Sequence, residues 1–471
     1  TSLERVAMTR RTKIVVTIGP STWNPEVLSR VVRAGADAFR VNFSHGDPSI
    51  WSKIVRVVRE TDKEAVRPLI GDLQGPAVRL GRVREIPVAK GDKLTLALAE
   101  EGDPEKRLVP LPERSVFEIV EEGDVLLIES GRVALRVDEV KGDFMSCTAL
   151  IDGVIRGGKT FAIKSKDLPL PALTDRDVEA VKFAVENGFD YISLSFVKTS
   201  KDVDKLKHLL RDLGASHVKV VAKIETRSAV ENLGEIVEAA DAVLVARGDL
   251  AIYFDLEEMP KVQRRIVDAA RAQGKPVMVA TQLLDSMVNN PVPTRSEVVD
   301  VYRAVSDGAD ALLLTNETAV GKYPVESVAW LSRIIEEAEK GLTWEYVAKP
   351  QTLYEAVAKA AVTIADLLGG KIIAYSAKGS TAKRLAMYRP RSEVHVFSRN
   401  SAAVRQMNLL WGIKPHLSSI DKKDPNLFDR LMEEAKNRGI LAYGDIAILT
   451  AGIREGATDM IRVERTINAK E

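Results

Sequence analysis

The sequence contains very little cysteine: Cys147 is the single cysteine among 471 residues. One cysteine cannot form an internal disulfide or a cysteine-based metal cluster, and it agrees with a reducing compartment. The chain also lacks any apolar run near the roughly 18 residues that a membrane span needs. Its net charge of +1 gives no large electrostatic field of either sign. We therefore expect neither a nucleic acid nor a membrane as a partner.

The first 13 residues have no apolar segment of the kind that a secretory signal requires. We therefore expect a soluble, cytoplasmic protein. A chain of 471 residues exceeds the size at which one hydrophobic core stops growing, so about two to four domains are expected. The 45% hydrophobic and 29% charged content is that of an ordinary folded protein.

Apolar runs alternate with amphipathic stretches through the first and middle parts of the chain, which predicts a parallel α/β domain. The candidate strands are residues 13–18, 38–42, 68–72, 191–196, 218–224, 242–246, 276–280 and 311–314. Most of these eight runs are followed by a helical pattern. The pattern predicts a (β/α)8 TIM barrel, and a doubly wound sheet is the weaker alternative.

Changes in the pattern of apolar residues, Gly and Pro along the sequence predict two further domains. Between the third and fourth strands the sequence has short β-rich pieces separated by Gly and Pro, which predicts an inserted β domain. An insertion on the carboxyl-end face of a barrel can act as a lid, although it can also be decorative. We assign residues 1–75 and 171–342 to the barrel, 76–170 to a small β-barrel lid domain, and 343–471 to a C-terminal α/β domain.

Lys223, Glu225 and Asp249 are the most informative candidates for a functional site. Lys223 and Glu225 are two residues apart on a predicted strand and point to the same face. Asp249 follows the next predicted strand. Two carboxylates on adjacent strands could share a divalent ion while Lys223 faces an anionic substrate. A structural ion pair at the barrel rim is the alternative interpretation.

Other polar residues also fall at predicted strand ends, on the face where barrel enzymes carry their chemistry. They are Arg40, Asn42, Asp72 and Thr281, and Arg79 follows shortly after Asp72. Cations beside a metal held by carboxylates suit a small phosphorylated and carboxylated substrate, because phosphoryl transfer is catalysed mainly by positioning and charge neutralisation.

Several of these residues have plainer explanations. Arg40 could simply pair with Asp72, and Thr281 could be a packing residue. His45 fits a loop hydrogen bond or a nucleotide contact better than a general base. Gly248 could expose backbone N–H groups to an anion or could form a tight turn. No Walker or Gly-x-Gly-x-x-Gly motif follows a strand, so no generic motif indicates nucleotide binding.

The residues resemble the pyruvate kinase family. The matching blocks are TKIVVTIGP (12–20), FRVNFSHG (39–46), AKIE (222–225), ARGDL (246–250), ATQLLDSM (280–287), PTRSE (293–297) and ETAVGKYP (317–324). They stand in the family's order. The likeness covers essentially the whole chain, is sharp in the barrel, and is loose in the other two domains.

The resemblance implies transfer of a phosphoryl group from phosphoenolpyruvate to ADP, giving pyruvate and ATP at the end of glycolysis. It implies Mg²⁺ (or Mn²⁺) at Glu225 and Asp249, with Lys223 and Arg40 on the phosphoryl group. By the same match, Gly248 and Asp249 receive the substrate carboxylate, and Thr281 helps to deliver a proton. The residues matched to K⁺ are Asn42, Ser44, Asp72 and Leu73, and those matched to the nucleotide are Arg79, Asn42, His45 and Lys159.

The sequence departs from the family at several positions near these residues. Leu73 and Gln74 stand where the family usually has Thr-Lys, and Ala77 replaces a glutamate or lysine that tracks K⁺ dependence. K⁺ dependence is therefore open. At the site rim, Ala251, Tyr253 and Asn316 replace a glycine, a glutamate and a glycine.

The C-terminal segment SAKGST resembles the family's sugar-phosphate effector loop, with Ser376, Lys378, Gly379, Ser380 and Thr381 as candidate phosphate contacts. The later loop TAGIREGA, around Arg454, is short and lacks the family's Trp-Arg-Pro-Gly element. We therefore expect weak or no activation by fructose 1,6-bisphosphate.

The resemblance also bears on the oligomeric state and on two alternative functions. A homotetramer is implied by it alone. Another Mg²⁺-dependent barrel enzyme for phosphoenolpyruvate or pyruvate-type substrates is an alternative, but it lacks this domain order. A non-catalytic relative is a second alternative, against which the intact Lys223, Glu225, Asp249 and Thr281 argue.

Overall fold

Residues 10–75 form alternating parallel strands and helices. The computed structural model describes residues 10–129, 131–164, 166–342, 349–452 and 456–467. The first elements are β1 (Lys13–Thr17), α1 (Pro25–Ala34), β2 (Ala38–Asn42), α2 (Pro48–Thr61) and β3 (Leu69–Asp72). Both helices begin at a proline behind a capping side chain, Asn24 or Asp47, which accepts hydrogen bonds from backbone N–H groups of the first turn.

The chain then leaves the barrel and forms the inserted domain. Its elements are β4 (Ile86–Val88), β5 (Lys93–Ala97), β6 (Leu108–Pro110), α3 (Arg114–Ile119), β7 (Val125–Ile128), β8 (Val133–Lys141), β9 (Phe144–Ala149), β10 (Gly153–Ile155) and β11 (Phe161–Ile163). Six strands form one sheet in the order β11-β7-β8-β9-β5-β6, and β10 pairs with β4. These strands make up the additional sheet domain, for which the sequence analysis predicted a small β-barrel.

The remaining barrel elements follow the insertion. They are α4 (Asp175–Glu186), β12 (Tyr191–Leu194), α5 (Ser200–Asp212), β13 (Lys219–Ile224), α6 (Arg227–Glu231), α7 (Leu233–Ala239), β14 (Ala242–Ala246), α8 (Arg247–Tyr253), α9 (Met259–Ala272), β15 (Val277–Ala280), α10 (Arg295–Asp307), β16 (Ala311–Leu314), α11 (Asn316–Ala319) and α12 (Pro324–Glu339). Short 3₁₀ turns occupy Leu256–Glu258 and Asp285–Val288.

Eight parallel strands close into a barrel in the order β1-β16-β15-β14-β13-β12-β3-β2, as predicted. The strands are mostly apolar and mostly buried on both faces, because side chains fill the interior and helices cover the outside. Residues such as Ile70, Val221 and Met278 form the inner cluster. All carboxyl ends lie at one mouth of the barrel, so the polar residues that follow the strands are brought together there.

The C-terminal domain is a second α/β unit. Its elements are α13 (Leu353–Leu368), β17 (Lys371–Tyr375), α14 (Ser380–Met387), β18 (Val394–Ser398), α15 (Ser401–Met407), β19 (Ile413–Leu417), α16 (Leu427–Asn437), β20 (Ile446–Ala451) and β21 (Met460–Arg465). The sheet order is β19-β18-β17-β20-β21, with only the last pair antiparallel.

The C-terminal domain is fixed to the end of the barrel opposite the mouth by charged contacts. Arg405 lies 2.9 Å from Asp190, and Arg389 lies 2.9 Å from Asp310. Both carboxylates stand just before barrel strands. Within the described ranges, no helix combines the length and the apolar character needed to cross a bilayer.

Candidate active site

Lys223 is the centre of a charged cluster at the barrel mouth. Its ammonium donates a hydrogen bond to the Ser195 hydroxyl over 2.8 Å. It lies 3.4 Å from an oxygen of Asp72 and 3.4 Å from an oxygen of Glu225. Lys223 and Glu225 therefore share one face, as their spacing predicts. Burial opposes the charged form of Lys223, but Asp72, Glu225 and Asp249 outweigh burial and raise its pKa.

Arg40 adds a second cation to this cluster. Its Nε donates to Asp72 over 2.6 Å, and its Nη1 donates to the Thr17 hydroxyl over 3.0 Å. The pairing of Arg40 with Asp72 that the sequence left open is therefore present. Asp72 lies between two cations. Burial alone would raise the pKa of Asp72, but Lys223 and Arg40 lower it below the usual value.

Glu225 and Asp249 form a carboxyl pair at the ends of the adjacent strands β13 and β14. One oxygen of Glu225 accepts a hydrogen bond from the Phe196 N–H over 2.6 Å. Its other oxygen is buried without a hydrogen-bond partner. Burial raises the pKa of Glu225 and also that of Asp249, although Lys223 opposes both shifts. Two close carboxyls therefore resist ionising together unless a cation joins them.

This pair fits a divalent metal ion. The Glu225 oxygen that accepts no hydrogen bond has only the ion pair with Lys223, so it can also take a metal ion, and hard cations prefer oxygen ligands. Among the described residues there is no cluster of three or more His, Cys, Asp or Glu side chains arranged to hold a metal. A two-carboxylate site of this kind suits Mg²⁺, which usually keeps waters and substrate oxygens in its coordination shell.

Thr281 lies beside this pair in a strained conformation. Its φ is +70°, in the left-handed region that β-branched residues avoid, and Gln282 follows at +53°. Such a conformation costs about 1–3 kcal/mol and persists only where surrounding contacts fix it. The Thr281 hydroxyl accepts a hydrogen bond from the Gly248 N–H over 2.9 Å. Gly248 lies in the first turn of helix α8, so the alternative prediction of a tight turn at this glycine is wrong.

A cavity of about 100 Å³ separates the inserted domain from the barrel beside Asp249. Its walls are mainly apolar and include Phe161 from the insertion and Phe196 and Tyr253 from the barrel. The inserted domain therefore lies over the mouth that carries the charged cluster, which is the position that a lid requires.

The sequence matches two protein-family models, which together span most of the chain. The family model described as "Pyruvate kinase, barrel domain" matches residues 9–328, and "Pyruvate kinase, alpha/beta domain" matches residues 355–464. The chain belongs to the pyruvate kinase family.

Relatives agree across most of the chain. A pyruvate kinase from Aeropyrum pernix is 39% identical over 86% of this chain and 88% of its own length. One from Mycobacterium intracellulare is 37% identical over 97% and 99%. The crystal structure of pyruvate kinase from Pyrobaculum aerophilum has a TM-score of 0.87 at 36% identity, covering 98% of this chain and 100% of that one. The fold and the phosphotransferase class expected from the sequence are confirmed.

Two of the four residues that the resemblance assigned to K⁺, Asp72 and Leu73, contact members of the cluster. The Asn42 side-chain oxygen accepts from the Ser44 N–H over 3.1 Å, and the Leu73 carbonyl accepts from the Ser195 hydroxyl over 2.7 Å. Leu73 is therefore connected to Lys223 through Ser195. The next side chain, Gln74, has a buried oxygen without a hydrogen-bond partner. Ala77 lines the cavity beside Asp249 and presents no charge to it.

The residues assigned to the nucleotide are divided between the barrel and the lid. His45 is exposed, and its carbonyl accepts from the Trp51 indole. Arg79 and Lys159 lie on the lid, where Arg79 pairs with Thr160 in an isolated bridge. Lys159 contacts Glu129 at 2.8 Å. Arg79 and Lys159 therefore belong to the lid and not to the charged cluster of the barrel.

The three rim residues that differ from the family lie in helices α8 and α11. Tyr253 is buried in α8, and its carbonyl accepts from Arg227 over 2.7 Å. Ala251 lies in the same helix, and Asn316 begins α11. None of these three replaces a member of the charged cluster.

The predicted effector loop precedes and opens α14 in the C-terminal domain. Ser376 and Thr381 are buried there, and the Ser376 hydroxyl accepts from the Thr381 N–H over 3.2 Å. The Thr381 hydroxyl contacts that of Thr458 at 2.9 Å. Lys378, Gly379 and Ser380 are at least partly exposed. Arg454 lies outside the described residues.

The sequence analysis missed two polar members of the cluster, Ser195 and Thr17. Ser195 follows β12 and contacts both Lys223 and Leu73, whereas Thr17 ends β1 and contacts Arg40. Both obey the strand-end rule that identified the other residues. Applying that rule to β1 and β12 would have found them.

Proposed function

We propose that this chain transfers the phosphoryl group of phosphoenolpyruvate to ADP in a Mg²⁺-dependent reaction that gives pyruvate and ATP. The observation that carries the proposal is the position of Lys223, whose ammonium lies between Asp72 and the Glu225–Asp249 pair. A fixed cation beside a two-carboxylate metal site is the arrangement that phosphoryl transfer requires.

Glu225 and Asp249 would hold the metal ion. Mg²⁺, or Mn²⁺ in its place, supplies charge neutralisation for the substrate oxygens when bound. Lys223 and Arg40 would hold the phosphoryl group and stabilise the charge that develops as it moves. Because Asp72 fixes both cations, they would be oriented before substrate arrives, which lowers the cost of reorganisation.

Thr281 and the first turn of α8 would act on the pyruvate part of the substrate. The backbone at Gly248 and Asp249 would receive the carboxylate. The Thr281 hydroxyl would help to deliver a proton, through water, to the enolate carbon. The bond between the transferred phosphorus and the enol oxygen breaks first, and protonation of the resulting enolate then gives the methyl group of pyruvate.

ADP would bind between the barrel and the lid. Arg79 and Lys159 of the lid, with Asn42 and His45 of the barrel, are the proposed nucleotide contacts. Asn42, Ser44, Asp72 and the Leu73 carbonyl are the proposed K⁺ ligands. The C-terminal loop at Ser376, Lys378, Gly379, Ser380 and Thr381 would take a phosphate-bearing effector. A homotetramer and a cytoplasmic location complete the proposal.

A coupled assay of pyruvate formation tests the reaction. With phosphoenolpyruvate and ADP present, we expect turnover that requires Mg²⁺ or Mn²⁺. No metal-dependent turnover would refute the proposal. Repeating the assay with K⁺ replaced by a large organic cation tests the monovalent site separately: equal rates would exclude K⁺ from the reaction while leaving the main proposal intact.

A further inference from the structure

Arg247, the first residue of α8, reaches across to the strained residue that follows β15. Its Nε and Nη2 donate to the Thr281 carbonyl over 3.2 and 2.6 Å. Nη2 also donates to the Gln282 carbonyl over 3.1 Å. One guanidinium therefore holds the carbonyls of two consecutive residues that both have positive φ.

Asp300 of α10 fixes this guanidinium from the other side. Both of its carboxylate oxygens accept from Arg247 Nη1, over 2.8 and 2.7 Å. The Arg247 side chain is 11% exposed. A planar guanidinium with its donors engaged on two sides has little rotational freedom, so it acts as a rigid link between α10 and Thr281.

We infer that Arg247 and Asp300 are positioning residues for the hydroxyl of Thr281. The side chain of Arg247 holds the Thr281 carbonyl, while the next residue, Gly248, donates its N–H to the Thr281 hydroxyl. The carbonyl and the hydroxyl of Thr281 are thus hydrogen-bonded to two consecutive residues of one helical turn. Asp249 follows in the same turn, so the orientation of the hydroxyl is set relative to a carboxylate of the cluster.

This inference rests on the proposed function, in which Thr281 helps to deliver a proton. A β-branched residue does not keep a positive φ without external contacts. Weakening the Arg247 contacts lets the backbone at Thr281 relax and moves the hydroxyl. A displacement of about 1 Å at a reacting group is enough to lower a rate by about a hundredfold.

The purely structural alternative is that Arg247 and Asp300 only join α8 to α10. The two accounts differ in which step of the reaction they slow. A positioning role slows proton transfer to and from the pyruvate methyl carbon through Thr281. A packing role lowers stability and affects all steps alike.

The test compares Arg247→Lys and Asp300→Ala with the wild-type chain. Lysine keeps the charge of Arg247 but cannot hold two carbonyls and a carboxylate together. Proton transfer is followed by NMR as exchange of pyruvate methyl hydrogens in D₂O with Mg²⁺ and ATP present. In each exchange a C–H bond breaks and a C–D bond forms with a solvent deuteron.

We expect both variants to lower methyl exchange at least about tenfold, with the KM for phosphoenolpyruvate changed much less. Arg462→Lys is the matched control, because Arg462 pairs with Asp429 and Glu464 in the C-terminal domain. It should exchange at the wild-type rate. Exchange at the wild-type rate in Arg247→Lys would overturn the inference. Asp300→Asn, which keeps an acceptor oxygen, should restore much of the rate lost in Asp300→Ala.

A double-mutant cycle decides whether Arg247 acts through Thr281. In a Thr281→Ala background, Arg247→Lys should cause little further loss of exchange, because the hydroxyl it positions is absent. Equal losses with and without that hydroxyl would overturn the inference. So would normal exchange in Thr281→Ala alone, even though wild-type turnover would still support the proposed reaction. Absence of turnover in the wild-type chain would instead refute the proposed function itself.

Discussion

The ammonium of Lys223 lies 3.4 Å from a carboxylate oxygen of Asp72, so a charge pair joins β13 to β3 across the intervening strand β12. The other carboxylate oxygen of Asp72 accepts a hydrogen bond from the Arg40 Nε. Two cations are thus held by one buried carboxylate. Asp72 therefore fixes the relative positions of Lys223 and Arg40 at the barrel mouth.

Replacing Lys223 by methionine should remove most of the activity. The side chain keeps its approximate length but loses the charge that we propose stabilises the transferring phosphoryl group. We expect kcat to fall at least about a hundredfold, with a much smaller change in KM for phosphoenolpyruvate, because the interaction is strongest in the transition state. Initial rates in the coupled assay measure both. The control is Lys182→Met, an exposed lysine on α4. A near-normal kcat for Lys223→Met would assign the role to another residue.

Replacing Glu225 by glutamine should weaken metal binding. The amide keeps the shape of the side chain but removes the negative charge that Glu225 contributes to its pair with Asp249. We expect the dissociation constant for Mn²⁺ to rise at least about tenfold, measured by electron paramagnetic resonance without substrates. Glu231→Gln, at the exposed end of α6, is the matched control. Unchanged Mn²⁺ affinity in Glu225→Gln would place the metal elsewhere.

Replacing Asp37 by asparagine should reduce stability in a pH-dependent way. Burial raises the pKa of Asp37, but Arg10 and Lys13 lower it below the usual value. Arg10 lies 2.7 Å from the carboxylate, which also accepts from the Ile14 N–H over 2.8 Å. A folded-state pKa below the unfolded value of about 3.9 means that the ion pair stabilises the fold above that pH and is lost as pH falls through the folded pKa.

We therefore expect Asp37→Asn to cost about 2 kcal/mol near neutral pH, seen as a lower thermal unfolding midpoint. The difference from wild type should shrink as pH falls below about 4, because the wild-type carboxylate then becomes protonated. Asp204→Asn on the exposed face of α5 should show no comparable difference at any pH. A difference independent of pH would contradict the assignment to charge.

Replacing Lys198 by methionine should loosen the second connection between lid and barrel. The Lys198 ammonium donates to the carbonyls of Leu168 and Leu170, over 3.0 and 2.6 Å, and so fixes the segment that leads back from the lid. Hydrogen–deuterium exchange of residues 166–173 should become faster, since lost hydrogen bonds expose the backbone. Lys205→Met, exposed on α5, is the control. Unchanged exchange would show that other contacts hold this connection.

Fructose 1,6-bisphosphate should have little effect on the saturation curve for phosphoenolpyruvate. The hydroxyls of Ser376 and Thr381 are buried and engaged within the C-terminal domain, so two of the candidate contacts are already occupied. We expect the midpoint to shift by less than the roughly fivefold typical of coupled sites. A strong shift on adding the sugar phosphate would show that the loop rearranges to bind it.

The parts of the fold that repeat a simple pattern could be predicted from the sequence. Strands β2, β14 and β16 begin and end where the apolar runs do, because a buried parallel strand is apolar on both faces. Strand β19 was not predicted. It contains Pro415, and it lies at the edge of its sheet, where a missing N–H is tolerated but the sequence pattern is weakened.

The candidate site divides in the same way. The spacing of Lys223 and Glu225 places both on one face, and strand pairing brings Asp249 beside them. The positive φ of Thr281 has no counterpart in the sequence, since threonine rarely adopts it. Asp300 could not have been found either, because nothing in the sequence shows that it and Thr281 contact the same Arg247 guanidinium.

The end of the lid is hydrogen-bonded to the turn that follows Glu225, a proposed metal ligand. Asp167 accepts from the N–H groups of Arg227 and Ser228, over 3.3 and 2.8 Å, two and three residues after Glu225. A rotation of the lid that moves Asp167 therefore pulls on the same turn. If Glu225 holds the metal as proposed, metal affinity and lid orientation are thermodynamically linked: the factor by which the ion favours one lid orientation equals the factor by which that orientation raises the affinity for the ion.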